Sequence, residues 1–229
     1  MPPSACFAQS RALRSIFPKP DPPARSPYPG APSPATMAQG MHFKTRFQGR
    51  AWALPDSVDT DMITPGKYLT IIDPKGLSEH ILEGWRADFP KQVKAGDILV
   101  AGDNLGCGSS REHAPLSMLG AGIPVVIARS FARIFYRNAI NVGLPVMECP
   151  DMPKGFVADG DTVSVDLQAG VVRNETKGTE AKGIPLSAKA IEILDAGGLV
   201  NIVRRKLNER GTVQHKAPGV PPEADFKSD

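Results

Sequence analysis

Cysteine is scarce in this chain. The 229 residues hold three, Cys6, Cys107 and Cys149, with no C-x-x-C pair and no Cys/His ligand spacing. A disulfide scaffold, a zinc site and an iron–sulfur site are therefore not expected from these cysteines, and a reduced intracellular compartment is the simplest reading. Long apolar runs are missing too: no stretch of about 18 residues has the character of a membrane span. Nor is there an excess of one charge. Of 27 Lys+Arg and 24 Asp+Glu, residues 1–40 hold Arg11, Arg14, Lys19 and Arg25 against Asp21. Removing those leaves 23 of each sign in residues 41–229. A neutral folded part lacks the basic stripe that nucleic acid requires.

Residues 1–40 hold ten of the 23 prolines, a composition that cannot bury enough apolar surface to fold. This extension is read as disordered. It is basic, Ser-containing and poor in acids, as transit peptides are, or it precedes a true start at Met37 or Met41. The two readings imply the plastid stroma and the cytoplasm respectively. Residues 211–229 are polar and Pro-rich at Ala217 to Asp229, a fraying tail. One domain over 41–210 remains, with 41% hydrophobic and 22% charged residues in the whole chain, ordinary for a globular protein.

Within it, Phe43 to Leu54 reads as a strand, followed by an acidic turn from Asp56 to Asp61. A helix is expected from Pro74 to about Trp85, a short buried strand at Asp97 to Ala101, and a helix from Ala114 to Ala121. Val125 to Ala128 is a second apolar run, and Phe131 to Ala139 follows as a helix with Phe131, Ile134 and Phe135 on one face. Asn141 to Met147 carries the chain into another strand, and a hairpin of Thr162–Leu167 with Gly170–Arg173 and helices at 188–195 and 199–207 complete the domain. Successive strand-loop-helix units imply an α/β core.

The densest chemistry lies between the two central units, in Gly102-Asp103-Asn104-Leu105-Gly106-Cys107-Gly108-Ser109-Ser110-Arg111-Glu112-His113. Glycines there let the backbone approach a ligand, a helix amino end favours anions, and Arg111 offers a bidentate fork for a carboxylate. The plainer alternative is a turn in which Ser109 or Ser110 caps the following helix. The string lacks the P-loop lysine and the G-x-G-x-x-G spacing, so nucleotide binding is disfavoured. Cys107 reads as a small packing residue or a nucleophile. Glu112 and His113 read as helix-end contacts, and Arg129, Arg133 and Arg137 as an i, i+4, i+8 solvated face that also suits a partner.

Gly106-Cys107-Gly108-Ser109-Ser110-Arg111-Glu112-His113-Ala114-Pro115, Ile127 to Asn138, and Asn141-Val142-Gly143-Leu144-Pro145 resemble the small subunits of 3-isopropylmalate dehydratases, in the aconitase superfamily. Asp59-Thr60-Asp61, Lys67-Tyr68-Leu69-Thr70 and Ala196-Gly197-Gly198-Leu199 extend the likeness over most of residues 42–207. The resemblance implies a swivelling β/β/α domain that binds no metal itself and closes over a large subunit carrying a [4Fe–4S] cluster. The reaction it implies interconverts 2- and 3-isopropylmalate through 2-isopropylmaleate, in leucine biosynthesis. By motif position Ser109 takes the role of base, with Ser110 and Arg111 orienting the substrate and holding a carboxylate, and Asp61 orienting a histidine of the large subunit; Asp61 alternatively caps a turn. Tyr68, Leu69, Thr70 and Ile71, with Gly106 and Gly108, are the implied substrate-binding positions. Relatives acting on tricarboxylates place an arginine in the first of these segments, whereas Thr70 and Ile71 offer no cation and suit an isopropyl group; Lys67 turned inward would weaken that reading. Small subunits of homoaconitase or of 2,3-dimethylmalate or citraconate hydratase are the nearest alternatives, and a metabolite-binding module without catalysis is a further one.

Overall fold

Strand β1 (Arg46–Leu54) changes partners half-way along its length. Its first part, Arg46 to Arg50, pairs antiparallel with β5 (Thr162–Asp166), and its second, Ala51 to Leu54, pairs parallel with β2 (Ile98–Ala101). The burial of β1 changes at the same point, from mostly accessible to mostly buried. With β3 (Val126–Ala128), β4 (Val146–Glu148), β6 (Val171–Asn174) and β7 (Thr179–Lys182), the seven strands run in the order β4-β3-β2-β1-β5-β6-β7. Residues 43–209 of the computed structural model are described here; the extension 1–40 and the tail 211–229, with Cys6 and the alternative starts, lie outside them.

The two halves of the sheet follow different sequence rules for a physical reason. On the parallel side every residue of β2 and β3 is buried, because crossover helices cover a parallel sheet and leave no face for polar side chains. On the antiparallel side Val163 and Val165 are buried while Thr162, Ser164 and Asp166 are partly accessible, the alternation of a sheet wet on one face. The α/β class expected from the strand-loop-helix pattern is what forms.

The helices are α1 (Thr60–Ile63), α2 (Pro74–Ser78), α3 (Phe89–Gln92), α4 (His113–Gly120), α5 (Arg133–Val142), α6 (Ala188–Asp195) and α7 (Leu199–Glu209). None is long and apolar enough to cross a membrane. Local chemistry sets several ends. Asp73 accepts the Gly76 N–H at 2.8 Å ahead of Pro74, and Ser187 accepts that of Ala190 at 3.2 Å, both N-caps. Gly143 closes α5 at φ 92°, which a side chain would resist.

Two local expectations are corrected, and one element is new. The helix expected over residues 74–85 stops at Ser78, because Leu82 turns left-handed (φ 54°) and donates its N–H to Ile63 at 2.8 Å. That tertiary bond outcompetes the helical one while keeping Ile81 and Leu82 in the core. Of the face expected for α5, Phe131 precedes the helix and Ile134 is 51% exposed, leaving Phe135 as the buried member. Residues 141–147 lead into a strand as expected, with α5 running to Val142 and β4 beginning at Val146. Strand β7 was not anticipated: only its Ala181 is buried, so its residues carry almost no hydrophobic pattern.

One polar group anchors the sheet from inside. Buried Asp97 accepts from Arg50 Nη2 at 2.5 Å, Trp52 Nε1 at 2.8 Å and the Lys94 N–H at 2.9 Å. Burial raises its pKa, but these donors outweigh burial and hold the carboxyl below its ordinary value. Next to it, Trp52 and Trp85 both pack on the buried ring of Phe89, at 5.0 and 5.6 Å between centroids.

Candidate active site

The carboxyl ends of parallel strands are where an α/β sheet gathers its chemistry, because loops there can be rebuilt without disturbing the core. Here the segments that leave β1, β2 and β3 remain hydrogen-bonded to one another beyond the strands. Ser57 N–H donates to Asp103 at 2.7 Å, Gly106 N–H to Val58 at 2.8 Å, and Thr60 N–H to Cys107 at 2.9 Å. On the other side Leu105 N–H donates to Ser130 at 3.0 Å and Ala132 N–H to Leu105 at 2.9 Å. The loop after β2 is thus fixed along both edges. Ser57 and Asn104, two of the three non-glycine residues with left-handed φ among those described, both lie at this junction, as strained backbone at functional sites often does.

Gly106 shows why the motif needs glycine. Its φ is 78°, and a Cβ there would come within 2.2 Å of the Phe135 ring. Since its N–H is already bonded to Val58, Gly106 shapes the loop from within. Gly108, at φ 93°, is exposed and open to solvent. The Gly108, Ser109 and Ser110 N–H groups have no backbone acceptor among the described residues.

Beyond the stitched part, Ser109 and Ser110 are exposed. Thr60 Oγ1 donates to the Ser109 carbonyl at 3.2 Å, and Asn138 Nδ2 donates weakly to Ser110 Oγ at 3.5 Å. Neither serine caps α4: the N-cap position is Glu112, which makes no side-chain cap bond. The capping alternative is therefore set aside, and Glu112 precedes the helix instead of standing in its first turn.

Arg111 turns toward the loop after β1. Its Nη1 donates to Asp61 Oδ1 at 2.5 Å and lies 3.4 Å from the Thr64 carbonyl. The Arg111 side chain is 17% exposed and that of Asp61 59%, so the cation is seated and its partner faces solvent. Arg111, and less so a Gly66 N–H, hold Asp61 below the usual carboxylate range. Turn capping falls to Asp59, which accepts the Met62 N–H at 2.7 Å.

The implied substrate-binding segment begins next to this pair. A short turn, Gly66–Tyr68, leads into Leu69, Thr70 and Ile71. Thr70 is exposed and Ile71 half-buried. Tyr68 is committed elsewhere: its hydroxyl donates to Glu83 at 2.9 Å and its ring stacks on His80 at 3.5 Å. Lys67 Nζ donates to the same carboxylate at 3.0 Å.

Sequence reasoning missed Glu83, and it misread Arg129. Arg129 is not on the α5 face with Arg133 and Arg137. It leaves the end of β3 with 12% of its side chain exposed, donates to Asp56 at 2.9 Å and pairs with Asp103. The Asp103 N–H, then Arg129 and Lys154, keep Asp56 below its ordinary pKa. Its position directly after a parallel strand was the available clue.

No group of three or more His, Cys, Asp or Glu among the described residues could hold a metal ion. Burial pushes the Cys149 thiol up to about 12, and Cys107 Sγ rests 3.6 Å from the Ser57 carbonyl. This chain's described residues do not fit an iron–sulfur cluster.

Residues 48–151 match the Aconitase C-terminal domain family. The chain is 52% identical over 160 residues to 3-isopropylmalate dehydratase small subunit 1 of Methanopyrus kandleri, spanning 70% of this chain and 94% of that one. This chain belongs to the 3-isopropylmalate dehydratase small-subunit family. A solved structure of 3-isopropylmalate dehydratase from Methanocaldococcus jannaschii superposes with a TM-score of 0.67 at 46% identity, covering 72% of this chain and 98% of that chain. The methanogen homoaconitase small subunit of Methanothermobacter thermautotrophicus is as similar, 53% identical over 155 residues, 68% of this chain and 89% of its own. Membership in the family thus leaves the substrate's side chain to be read from local residues.

Proposed function

We propose that this chain completes the active site of a hydro-lyase, with a large-subunit partner, and isomerises 2-isopropylmalate and 3-isopropylmalate through 2-isopropylmaleate in leucine biosynthesis. The observation that supports it best is the seating of Arg111 at the mouth of the strand-end loops, beside exposed Ser109 and the free N–H groups of Gly108 to Ser110. A carboxylate bound on Arg111 brings the carbon next to it toward Ser109. Ser109 Oγ takes the proton from that carbon as the hydroxyl departs from the neighbouring one, and returns it when water adds to the alkene in the opposite sense.

A serine hydroxyl is a weak acid, so its alkoxide needs donors already in place. The N–H groups of Gly108, Ser109 and Ser110 and the Arg111 charge meet that need, more strongly where closure over the partner excludes water. Asp61 keeps Arg111 in position. The electrophile that draws off the hydroxyl is the partner's contribution, in keeping with a [4Fe–4S] cluster on the large subunit and none on this chain.

Thr70 and Ile71 favour the isopropyl substituent over a carboxylate, which is the ground for preferring isopropylmalate to the homoaconitase-type substrate. We assign the reaction to the cytoplasm, where free thiols such as Cys107 and Cys149 persist. The deciding experiment is isomerisation of 2-isopropylmalate, followed by the absorbance of the alkene intermediate, with this chain and its large subunit reconstituted together. Turnover that needs both chains supports the reading; turnover of citraconate or 2,3-dimethylmalate alone assigns the chain to one of the other hydratases, and binding without turnover makes it a metabolite-binding module.

A further inference from the structure

Lys67 is the only charged residue between Asp61 and Asp73. It follows Gly66, whose N–H bears on Asp61, in the turn that leads from the Arg111–Asp61 pair to Leu69, Thr70 and Ile71. A free cation in that implied substrate-binding segment would attract a substrate with an extra carboxylate. Lys67 is instead drawn to Glu83, Nζ to Oε1 at 3.0 Å, and its ammonium lies 4.7 Å from the centroid of the Tyr68 ring.

Glu83 does more than pair with one lysine. Tyr68 OH reaches both of its oxygens, at 3.0 and 2.9 Å, and His80 Nδ1 lies 3.0 Å from Oε2. The stacked Tyr68 and His80 rings hold the carboxylate where Lys67 must meet it. Glu83 is 25% exposed against 63% for Lys67, so the anion is the fixed partner and the cation the one captured. With Lys67 foremost and Tyr68 next, these contacts bring the Glu83 pKa down to about 2, keeping the anion charged at any working pH.

We propose that Glu83 is a specificity-determining positioning residue: by neutralising Lys67 it removes the only cation of the 62–72 segment and so discriminates against substrates bearing a third carboxylate. The inference rests on the isopropylmalate reading above. An electrically neutral segment leaves an incoming CH₂COO⁻ without compensation for its lost hydration, while an isopropyl group loses nothing.

The test uses the reconstituted two-subunit enzyme and measures the inhibition constant of citrate, the same skeleton with CH₂COO⁻ in place of isopropyl, against the Michaelis constant for isopropylmalate. Glu83→Gln should tighten citrate inhibition about twofold to fivefold, the range of a solvent-screened charge contact, with the kcat for isopropylmalate retained. Lys67→Met added to that variant should abolish the gain, a reversal that general loosening of the loop would not produce. Lys67→Met alone leaves Glu83 as an uncompensated anion and should weaken citrate inhibition severalfold, and it decides the matter should the Glu83 variant not fold. Unchanged citrate inhibition in either single variant, or a gain that survives removal of Lys67, overturns the proposal. Failure of the wild-type complex to isomerise isopropylmalate would instead overturn the functional reading beneath it.

Discussion

Arg111 and Asp61 meet at 2.5 Å across fifty residues of sequence, joining the loop after β2 to the helix that follows β1. The pair is asymmetric: the guanidinium is seated and the carboxylate faces water. The contact ties down the Nη1 edge of Arg111, and the remaining donors of the guanidinium are left for a ligand.

Asp61→Asn should lower kcat/KM by up to about a hundredfold, mostly through KM, because a misaimed guanidinium no longer fixes the substrate carboxylate. Since Arg111 depresses the Asp61 pKa, the ion pair is complete above the ordinary carboxylate value of 3.8 and is lost only as pH falls through the lower folded value. The wild-type pH–rate profile above that point should contain no step from Asp61. Steady-state kinetics of the reconstituted complex over pH check both statements.

Ser109→Ala should reduce kcat by about a hundredfold or more while leaving substrate affinity nearly intact, as expected for loss of a proton acceptor that acts in the transition state. Ser110→Ala, whose hydroxyl meets Asn138 at 3.5 Å, should cost less. Equal, mild effects from the two substitutions would remove Ser109 from its role as base.

Gly106→Ala should destabilise the protein by about 3 kcal/mol, combining a left-handed φ with overlap onto the Phe135 ring. Gly160 offers the control: its φ is 91°, but nothing lies within 4 Å of where a Cβ would stand, so Gly160→Ala should cost only about 1 kcal/mol. Urea midpoints at unchanged m-value separate the two.

Asp97→Asn should cost about 2 kcal/mol, discounted because Arg50 is itself 37% exposed. The folded-state pKa of Asp97 is lowered, so between it and the ordinary value of 3.8 the unfolded chain binds more protons and stability rises with pH. The wild type should lose this contribution as pH falls through the folded pKa, and the variant should show a shallower acid slope in denaturant titrations.

What the sequence disclosed and what it concealed divide along contact distance. The strand-loop-helix pattern around Gly102 to His113 depends on periodicity and turn residues within a few positions of one another, and the loop lies where that pattern puts it. Glu83 has no local pattern to mark it. Its meaning comes from Lys67 and Tyr68, sixteen and fifteen residues away, brought to it by the turn at left-handed Leu82. Arg129 was misassigned because spacing of i, i+4, i+8 suggests one helix face, while the helix begins only at Arg133. Asp59 and Asp61 look alike in sequence; only the fold distinguishes the cap from the partner of Arg111.

The double allegiance of β1 has a kinetic consequence. Arg46 finds Asp166 across 120 residues, whereas the other end of the strand is satisfied by residues near position 100. A nascent chain emerging from the ribosome can close its parallel ladder first but must wait until Asp166 has emerged before β1 acquires its antiparallel neighbour, so pairing during synthesis should follow that order.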